Sequence, residues 1–289
     1  MGSNPIGPDM QDIDSFILDL LVRSGRLLAQ KQERAVSSNK GAHDLVTDAD
    51  LASEKLIVSA IREKYPGHAI YSEESERSRK DLFARDCWVI DPLDGTNNYA
   101  YGFPIWGVSV AYAQDGDVVA GGVGYPMQGI YLTAHRGEGA YKREEKPKSG
   151  KLGRARRIAV SSRAGLSKAM VLVCMHLSSE GGEAHLAGVG RVAKHVFNVR
   201  NLGAAVFNLG YVASGLADAS VEFRLQPYDG AAGALLVREA GGKVSDLCGK
   251  EWKLDSPSLV CSNGKVHDEL INALDWKQHP NVRGESGGH

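Results

Sequence analysis

The feature that most constrains the fold of this chain is the stretch from Trp88 to Tyr101, where an apolar segment runs into two acidic residues. Residues 88–90 are apolar and β-prone, so they predict a strand. Pro92 and the Gly-Thr pair after Asp94 interrupt a regular strand and predict a turn followed by a short helix. Asp91 and Asp94 are therefore expected together at one strand end. Two such carboxylates repel each other unless a cation lies between them, and a hard cation takes oxygen ligands.

An ordinary solvated turn is the alternative interpretation of this stretch, because Asp, Pro and Gly are common turn residues. Acidic residues recur at other predicted element ends, and they also have ordinary explanations. Glu73 and Glu74 follow a short predicted strand at Ala69–Tyr71, and pairs of Glu are common on protein surfaces. Asp229 precedes a predicted helix, where Asp is a favoured N-cap. Taken one at a time, these residues do not separate a metal site from local structure.

Two amphipathic helices are predicted before the first strand. Apolar residues spaced three and four apart predict the first helix from Asp12 to the mid-thirties. A polar segment from Lys40 leads into the second helix, which ends before Pro66. Thr47 followed by Asp50 resembles a capping box, so we expect this helix to begin near Thr47.

A sheet is predicted after the central stretch. Asp115-Gly116 between two apolar runs predicts an antiparallel hairpin. Lys142 to Arg157 is basic and contains Pro and Gly, which predicts a linker between two halves. We therefore expect an N-terminal α+β half at 1–148, a C-terminal α/β half at 149–276 and a disordered tail at 277–289. The second half is predicted to contain strands at Ile158–Val160, Met170–Cys174, Val221–Phe223 and Leu259–Cys261, and helices at 203–213, 230–240 and 266–274.

Composition argues against a nucleic-acid or membrane partner. The formal charge is -1 with 43% hydrophobic residues, and Glu144 and Glu145 interrupt the basic loop. No apolar run approaches the ~20 residues of a membrane span. Met1 to Met10 lacks a basic region followed by an apolar one, so we expect a cytoplasmic protein. The four cysteines are widely spaced, which favours buried thiols over zinc ligands or disulfides.

The acidic segments, taken in their order along the chain, resemble a known family. Asp44–Asp50, Glu73–Glu74, Asp91–Thr96, Tyr228–Gly233 and Glu239–Gly242 are similar to the motifs of the inositol monophosphatase family of magnesium-dependent, lithium-sensitive phosphatases. The resemblance covers nearly the whole chain. It implies an α+β fold, a layered α-β-α-β-α sandwich of the inositol monophosphatase and fructose-1,6-bisphosphatase type, and a homodimer.

The resemblance implies two or three Mg²⁺ ions and a set of site residues. The positions that match the family's metal ligands are Glu73, Asp91, the carbonyl oxygen of Leu93, Asp94 and Asp229, with Glu74 near a third ion. Asp91 is shared between two ions. Thr96 and Asp50 match the family's water-activating pair, and Glu74 is included among the catalytic residues. The positions expected to bind substrate are Gly95, Thr96, Asn97, Ala205, Glu222, Asp229 and Lys40.

The implied activity is hydrolysis of inositol monophosphate, or a similar polyol phosphate, by metal-activated water. Fructose-1,6-bisphosphatase, histidinol-phosphatase and adenosine 3',5'-bisphosphate phosphatase activities remain alternatives within the family. The sequence departs from the family at Tyr228, where Trp is commoner, and at Arg224–Pro227, which matches no family motif. Haloacid-dehalogenase phosphatases have a related acidic motif, but a single residue separates its aspartates. A different class of function is an interaction module for the transcription machinery, with Lys142 to Arg157 as a contact surface.

Overall fold

The computed structural model describes residues 10–38, 42–75, 78–146, 149–174 and 182–276. Its helices are α1 (Met10–Ser38), α2 (Ala42–Lys64), α3 (Thr96–Ala100), α4 (Gly182–Ala193), α5 (Ala205–Ala213), α6 (Pro227–Glu239) and α7 (His267–Leu274). Its strands are β1 (Ala69–Ser72), β2 (Cys87–Asp94), β3 (Gly107–Gln114), β4 (Asp117–Tyr125), β5 (Ile130–His135), β6 (Gly139–Glu144), β7 (Arg156–Arg157), β8 (Met170–Cys174), β9 (Asn198–Asn201), β10 (Ala219–Glu222), β11 (Lys243–Ser245) and β12 (Leu259–Ser262). Short 3-10 helices lie at Arg79–Phe83, Pro126–Gln128 and Leu166–Lys168.

Two mixed sheets organise the chain. The first has the order β1-β2-β3-β4-β5-β6-β7, and only its β1–β2 pair is parallel. The second has the order β11-β12-β10-β8-β9, with β8 parallel to both β9 and β10. The first sheet is therefore formed by residues up to Arg157, and the second by residues from Met170 onward.

Helices cover both faces of each sheet, which gives the predicted α-β-α-β-α layers. Successive residues of a strand point to opposite faces. In β2, Trp88 and Ile90 accordingly pack with α1 and α2, whereas Cys87 and Val89 belong to the core that contains α5 and α6. On the outer side of the second sheet, Val173 packs with residues of α4 and α7. A strand buried on both faces needs apolar residues throughout, which explains the continuous apolar run of β2.

The end of β2 is irregular, as Pro92 predicted. The pairing of β2 with β3 shifts register between Asp91 and Asp94, and the strand nevertheless continues to Asp94. Gly95 then adopts a left-handed conformation with φ 83°, and α3 begins at Thr96. This bulge and turn place Asp94 at the end of a buried strand, with Leu93 and Gly95 buried on either side of it.

The predicted helix starts were wrong at two positions. Helix α2 begins at Ala42, so Thr47 and Asp50 lie inside it and do not cap it. At α6, Gln226 is the N-cap and Asp229 is the third helical residue, whose carboxylate accepts a hydrogen bond from the Gln226 N–H. Acidic residues suit a helix start as well as a cap, so the local sequence did not separate the two positions.

The segment predicted as a linker partly extends the first sheet. Strand β6 continues to Glu144, and Arg156–Arg157 pairs with it as β7. The predicted strand at Ile158–Val160 was wrong: its two end residues donate backbone hydrogen bonds to the carbonyls of Ala140 and Ala240. The division into halves at 148/149 stays a prediction, and the predicted tail at 277–289 lies outside the described residues.

Other elements were confirmed or missed in ways that local sequence explains. The Asp115-Gly116 hairpin was confirmed, with φ of 50° and 86° at the two residues. Helix α4 was missed, because three of its twelve residues are glycines that weaken a helical pattern. All four cysteines are free; Cys87 and Cys261 are buried as expected, whereas Cys174 and Cys248 are only partly buried. Within the described residues, no helix combines the length and apolar character needed to cross a membrane.

Candidate active site

A cavity of about 460 Å³ lies where the ends of β2, β8 and β10 meet the starts of α3, α5 and α6. Its lining residues come from both halves of the chain. They are Glu73, Asp91, Leu93, Asp94, Gly95, Thr96, Asn97, Cys174, Gly203, Ala205, Glu222, Phe223, Arg224, Leu225, Gln226, Tyr228 and Asp229. Most of the site residues predicted from the sequence are in this lining, although they come from distant parts of the chain. Lys40 lies outside the described residues.

Asp91 and Asp229 are the most strongly perturbed carboxyl groups of the cavity. Burial, followed by the charges of Asp94 and Glu73, raises the pKa of Asp91 well above its ordinary value. Burial and the charge of Asp94 likewise raise the pKa of Asp229. Asp91 Oδ1 accepts a hydrogen bond from the Leu93 N–H at 3.0 Å, which fixes its orientation at the β2 bulge. These two groups carry negative charge only at a large energetic cost unless positive charge compensates them.

Asp94 is held by the start of α5. Its Oδ2 accepts a hydrogen bond from the Val206 N–H at 2.6 Å. Burial raises the Asp94 pKa to about 6, and backbone N–H groups of Val206, Gly95 and Ala205 oppose the rise. The α5 N-terminus thus fixes a residue of the first sheet against the second half of the chain.

A second acidic group adjoins the cavity. Carboxylate oxygens of Asp50, Glu73 and Glu74 all lie within 4.8 Å of one another. Asp50 is buried in α2, and burial, with the charges of Glu73 and Glu74, raises its pKa to about 8. Its Oδ1 atom has no hydrogen-bond partner in the described part of the chain. The structure therefore brings these three predicted residues together, while the predicted Asp50–Thr96 pairing stays a prediction.

Glu222 supplies a polar group on the opposite wall. It is fully buried and accepts hydrogen bonds from Asn208 Nδ2, at 3.0 Å, and from the Ser220 hydroxyl. Burial raises its pKa to about 8. Its second oxygen, Oε2, has no hydrogen-bond partner within the described residues. A buried acceptor of this kind is costly unless a ligand satisfies it.

Sequence reasoning missed Cys174 and Arg224 as cavity residues. Cys174 lines the cavity because β8 and β10 are parallel neighbours that put it opposite Glu222 in register. Arg224 lies in the β10–α6 loop. No local signal in either segment could have revealed these positions, since both depend on sheet pairing or loop conformation.

The residues present fit Mg²⁺. The acidic lining residues Glu73, Asp91, Asp94 and Asp229 offer oxygen ligands only, which a hard divalent cation prefers. Burial raises the pKa values of all three aspartates, and neighbouring carboxylates raise those of Asp91 and Asp229 further, a repulsion that a cation would relieve. The N–H groups of Leu93 and Val206 also hold the carboxylates of Asp91 and Asp94 in place. Fixed ligands suit Mg²⁺, which requires near-ideal octahedral coordination.

Comparisons with known proteins agree with this architecture. The sequence model of the inositol monophosphatase family matches residues 9–279, and the chain belongs to that family. It is 34% identical over 264 residues to the "Fructose-1,6-bisphosphatase/inositol-1-monophosphatase" of Thermotoga maritima, covering 90% of this chain and 94% of that protein. It is also 34% identical over 281 residues to the "Nus factor SuhB" of Pseudomonas aeruginosa, covering 95% and 100% respectively.

A solved structure supports the same fold. The structure of the Thermotoga maritima IMPase superposes with a TM-score of 0.76 and 32% identity, covering 96% of this chain and 100% of that one. The family and the names of its relatives support a phosphatase activity that acts on small phosphate monoesters.

Proposed function

We propose that this protein is a Mg²⁺-dependent phosphomonoesterase that hydrolyses inositol monophosphate or a similar polyol phosphate. The observation that carries the proposal is the convergence of Glu73, Asp91, Asp94 and Asp229 on one cavity, with raised pKa values for the three aspartates. A phosphate dianion cannot approach such a set of carboxylates without compensating cations. The name of the Thermotoga relative supports both an inositol-phosphate and a fructose-bisphosphate substrate.

Two or three Mg²⁺ ions would be held by Glu73, Asp91, the Leu93 carbonyl oxygen, Asp94 and Asp229, with Glu74 beside the third. When bound, such ions neutralise phosphate charge, lower the pKa of a water and stabilise the leaving oxygen. The protein's task is to hold these ligands rigidly. The Leu93 N–H bond to Asp91 and the Val206 N–H bond to Asp94 serve that purpose.

The remaining residues of the cavity act on the phosphate and on the attacking water. The backbone N–H groups of Gly95 and Thr96, with the Asn97 side chain, are proposed to donate hydrogen bonds to phosphate oxygens. The Thr96 hydroxyl would accept a proton from the water and pass its own to Asp50. Asp50 suits this role because burial raises its pKa to about 8, which makes its carboxylate more basic than an ordinary one.

The leaving alcohol is proposed to bind beside Glu222 and the backbone at Ala205. Glu222 Oε2 is buried without a hydrogen-bond partner in the described chain, so it can bond a substrate hydroxyl. The Asn208 and Ser220 bonds hold the other oxygen in place. This arrangement favours a leaving alcohol that carries several hydroxyl groups.

The test is a panel of phosphate esters assayed with the purified protein in Mg²⁺, with and without Li⁺. The panel contains inositol 1-phosphate, fructose 1,6-bisphosphate, histidinol phosphate and adenosine 3',5'-bisphosphate. We expect Mg²⁺-dependent phosphate release from inositol 1-phosphate that Li⁺ inhibits. Release from none of the esters, with Mg²⁺ present, would refute the proposal; release from only one of the other three would redirect it to that substrate.

A second candidate function is suggested by the relatives named Nus factor SuhB, which points to a role as an interaction module for the transcription machinery. Lys142 and Arg156 of the basic loop both pair with Glu144, but the loop contains eight basic and two acidic residues, so most of its positive charge is not compensated within the loop. The set of acidic residues at the cavity favours the enzymatic function as the main one. By resemblance to the family we also infer a cytoplasmic homodimer.

A further inference from the structure

Arg224 has a backbone conformation that arginine rarely adopts. In the described chain, three residues other than glycine have positive φ: Asp115 (50°), Arg224 (54°) and Asp275 (47°). The two aspartates have ordinary reasons, because Asp115 forms a hairpin turn and Asp275 ends α7. Arginine has no short polar side chain to stabilise this conformation, so Arg224 is strained.

The strain at Arg224 is maintained by its neighbours. Phe223 and Leu225 are both buried, with 2% and 6% exposure. The Phe223 N–H donates to the Cys174 carbonyl at 3.1 Å, and the Leu225 N–H donates to the Pro257 carbonyl at 2.7 Å. The backbone is therefore fixed on each side of Arg224. Strain that the surroundings impose at one residue of a cavity wall is a feature of functional sites.

Arg224, the strained residue, lies in the wall of the candidate active site. Arg224 is exposed and lines the cavity that holds the acidic residues. Among the described residues of that lining, five are acidic and Arg224 alone is basic. Asp91 is buried, whereas the guanidinium belongs to an exposed residue at the solvent side. The described cavity lining thus contains one permanently charged basic side chain, and it belongs to a residue that solvent reaches.

We propose that Arg224 is a specificity-determining residue that binds a second anionic group, phosphate or carboxylate, on the leaving alcohol. This inference rests on the phosphatase function proposed above. A guanidinium binds phosphate or carboxylate through two parallel hydrogen bonds, so it recognises both. Arg224 lies two residues after Glu222, and the two residues would bind different parts of one alcohol. The substrate range therefore includes polyol phosphates with a second charged group.

The test compares substrates that differ only in that group. Fructose 1,6-bisphosphate and fructose 1-phosphate form one pair, and glycerate 2-phosphate and glycerol 2-phosphate form the other. The measured quantity is the ratio of kcat/KM for the charged member to that for its partner. We expect Arg224→Gln to lower this ratio by about tenfold or more in at least one pair, through KM, because a charge-assisted hydrogen bond is lost. A lower ratio in the fructose pair would indicate that Arg224 binds a phosphate group, and a lower ratio in the glycerate pair would indicate that it binds a carboxylate.

Three further variants make the result specific. Arg224→Lys keeps the charge and should restore part of the ratio. Arg224→Gly should lower the ratio like Arg224→Gln, yet raise the melting temperature, because glycine adopts positive φ without strain. Arg154→Gln removes an exposed charge outside the cavity lining and should leave the ratio as in wild type.

The outcomes separate this inference from the proposed function. If wild type releases phosphate and the ratio is the same in Arg224→Gln in both pairs, the role of Arg224 is refuted while the phosphatase proposal stands. Equal losses on both members of each pair refute it as well. If wild type hydrolyses no ester in Mg²⁺, the proposed function itself has failed, whatever the variants do.

Discussion

Asp91 combines near-complete burial with acidic neighbours from several elements. It is 1% exposed, and Asp94, Glu73, Asp229 and Asp50 all raise its pKa through their charges, in addition to burial. A buried carboxylate needs a compensating charge or a proton. We propose that Mg²⁺ would supply that compensation, with Asp91 among the residues that would hold it.

Replacing Asp91 by Asn tests this assignment at a single residue. Asn has nearly the same size and keeps an oxygen that can accept the Leu93 N–H bond, so the fold should persist. We expect Mg²⁺-dependent phosphate release to fall by more than about 100-fold, since even the loss of a group that only supports a metal ligand costs 10–100-fold. Phosphate release and far-ultraviolet circular dichroism are the measurements. The control is Asp117→Asn, which changes an exposed ion pair with Arg136 and should keep full activity. Normal turnover by Asp91→Asn would contradict the assignment of Asp91 as a metal ligand.

Single site residues were predicted from the sequence where the adjoining segment has a clear strand pattern. Asp91 and Asp94 follow an apolar strand directly, so their shared position could be inferred from the sequence alone. Glu222 gave no such signal and was found only through family resemblance. Cys174 and Arg224 were missed, because their access to the cavity depends on parallel pairing and on an unusual φ angle. Local sequence specifies neither property.

At the scale of elements, periodic segments were predicted well and their ends poorly. Helix α1 has a long apolar period and was confirmed over Met10–Ser38. Helix α2 was confirmed, but it begins five residues before Thr47, where a capping signal was expected. Cap residues also occur inside helices, and only the surrounding structure decides between the two. The segment Ile158–Val160 is apolar, like a strand, yet it packs without forming one.

Close packing of α5 on α6 makes a prediction about one glycine. A Cβ atom on Gly233 of α6 would lie 2.4 Å from Leu209 Cδ1 and 2.6 Å from Leu209 Cβ. We expect Gly233→Ala to lower the free energy of unfolding by about 1–3 kcal/mol, as overpacking does. Gly190→Ala in α4 is the control. Apart from its chain neighbours and the backbone of its own helix, no atom of the described residues lies within 4 Å of the added Cβ, and the better helix propensity should stabilise by about 1 kcal/mol. Denaturant unfolding measures both; a Gly233→Ala protein as stable as Gly190→Ala would show that α5 and α6 can separate without cost.

At the scale of the whole molecule, the site depends on joining two sheets. Asp91 and Asp94 come from the first sheet, Glu222 comes from the second, and Asp229 comes from α6 between them. The Val206 N–H bond to Asp94 links the two parts directly. Local sequence predicted the elements but not how the sheets face each other, because that arrangement depends on contacts between distant residues. Family resemblance supplied it.

Ionisation of the buried carboxyl groups makes the stability of the whole molecule depend on pH. Burial raises the pKa of Asp94 to about 6, and burial with the charges of Glu73 and Glu74 raises the pKa of Asp50 to about 8, from an ordinary value of 3.8. Between the ordinary and the raised pKa values, the folded protein therefore binds more protons than the unfolded chain, and stability falls as pH rises through that range. Mg²⁺ bound as proposed would replace those protons and would stabilise the folded state most where the ligands are deprotonated.

The most direct measurement of the central claim is the melting temperature of metal-free protein at pH 6 and pH 8, with and without Mg²⁺. We predict that the metal-free protein melts lower at pH 8 than at pH 6. Mg²⁺ should raise the melting temperature at both values, with the larger rise at pH 8 and little rise in Asp91→Asn. Melting temperatures that are the same with and without Mg²⁺ at both pH values would contradict a metal site at these carboxylates.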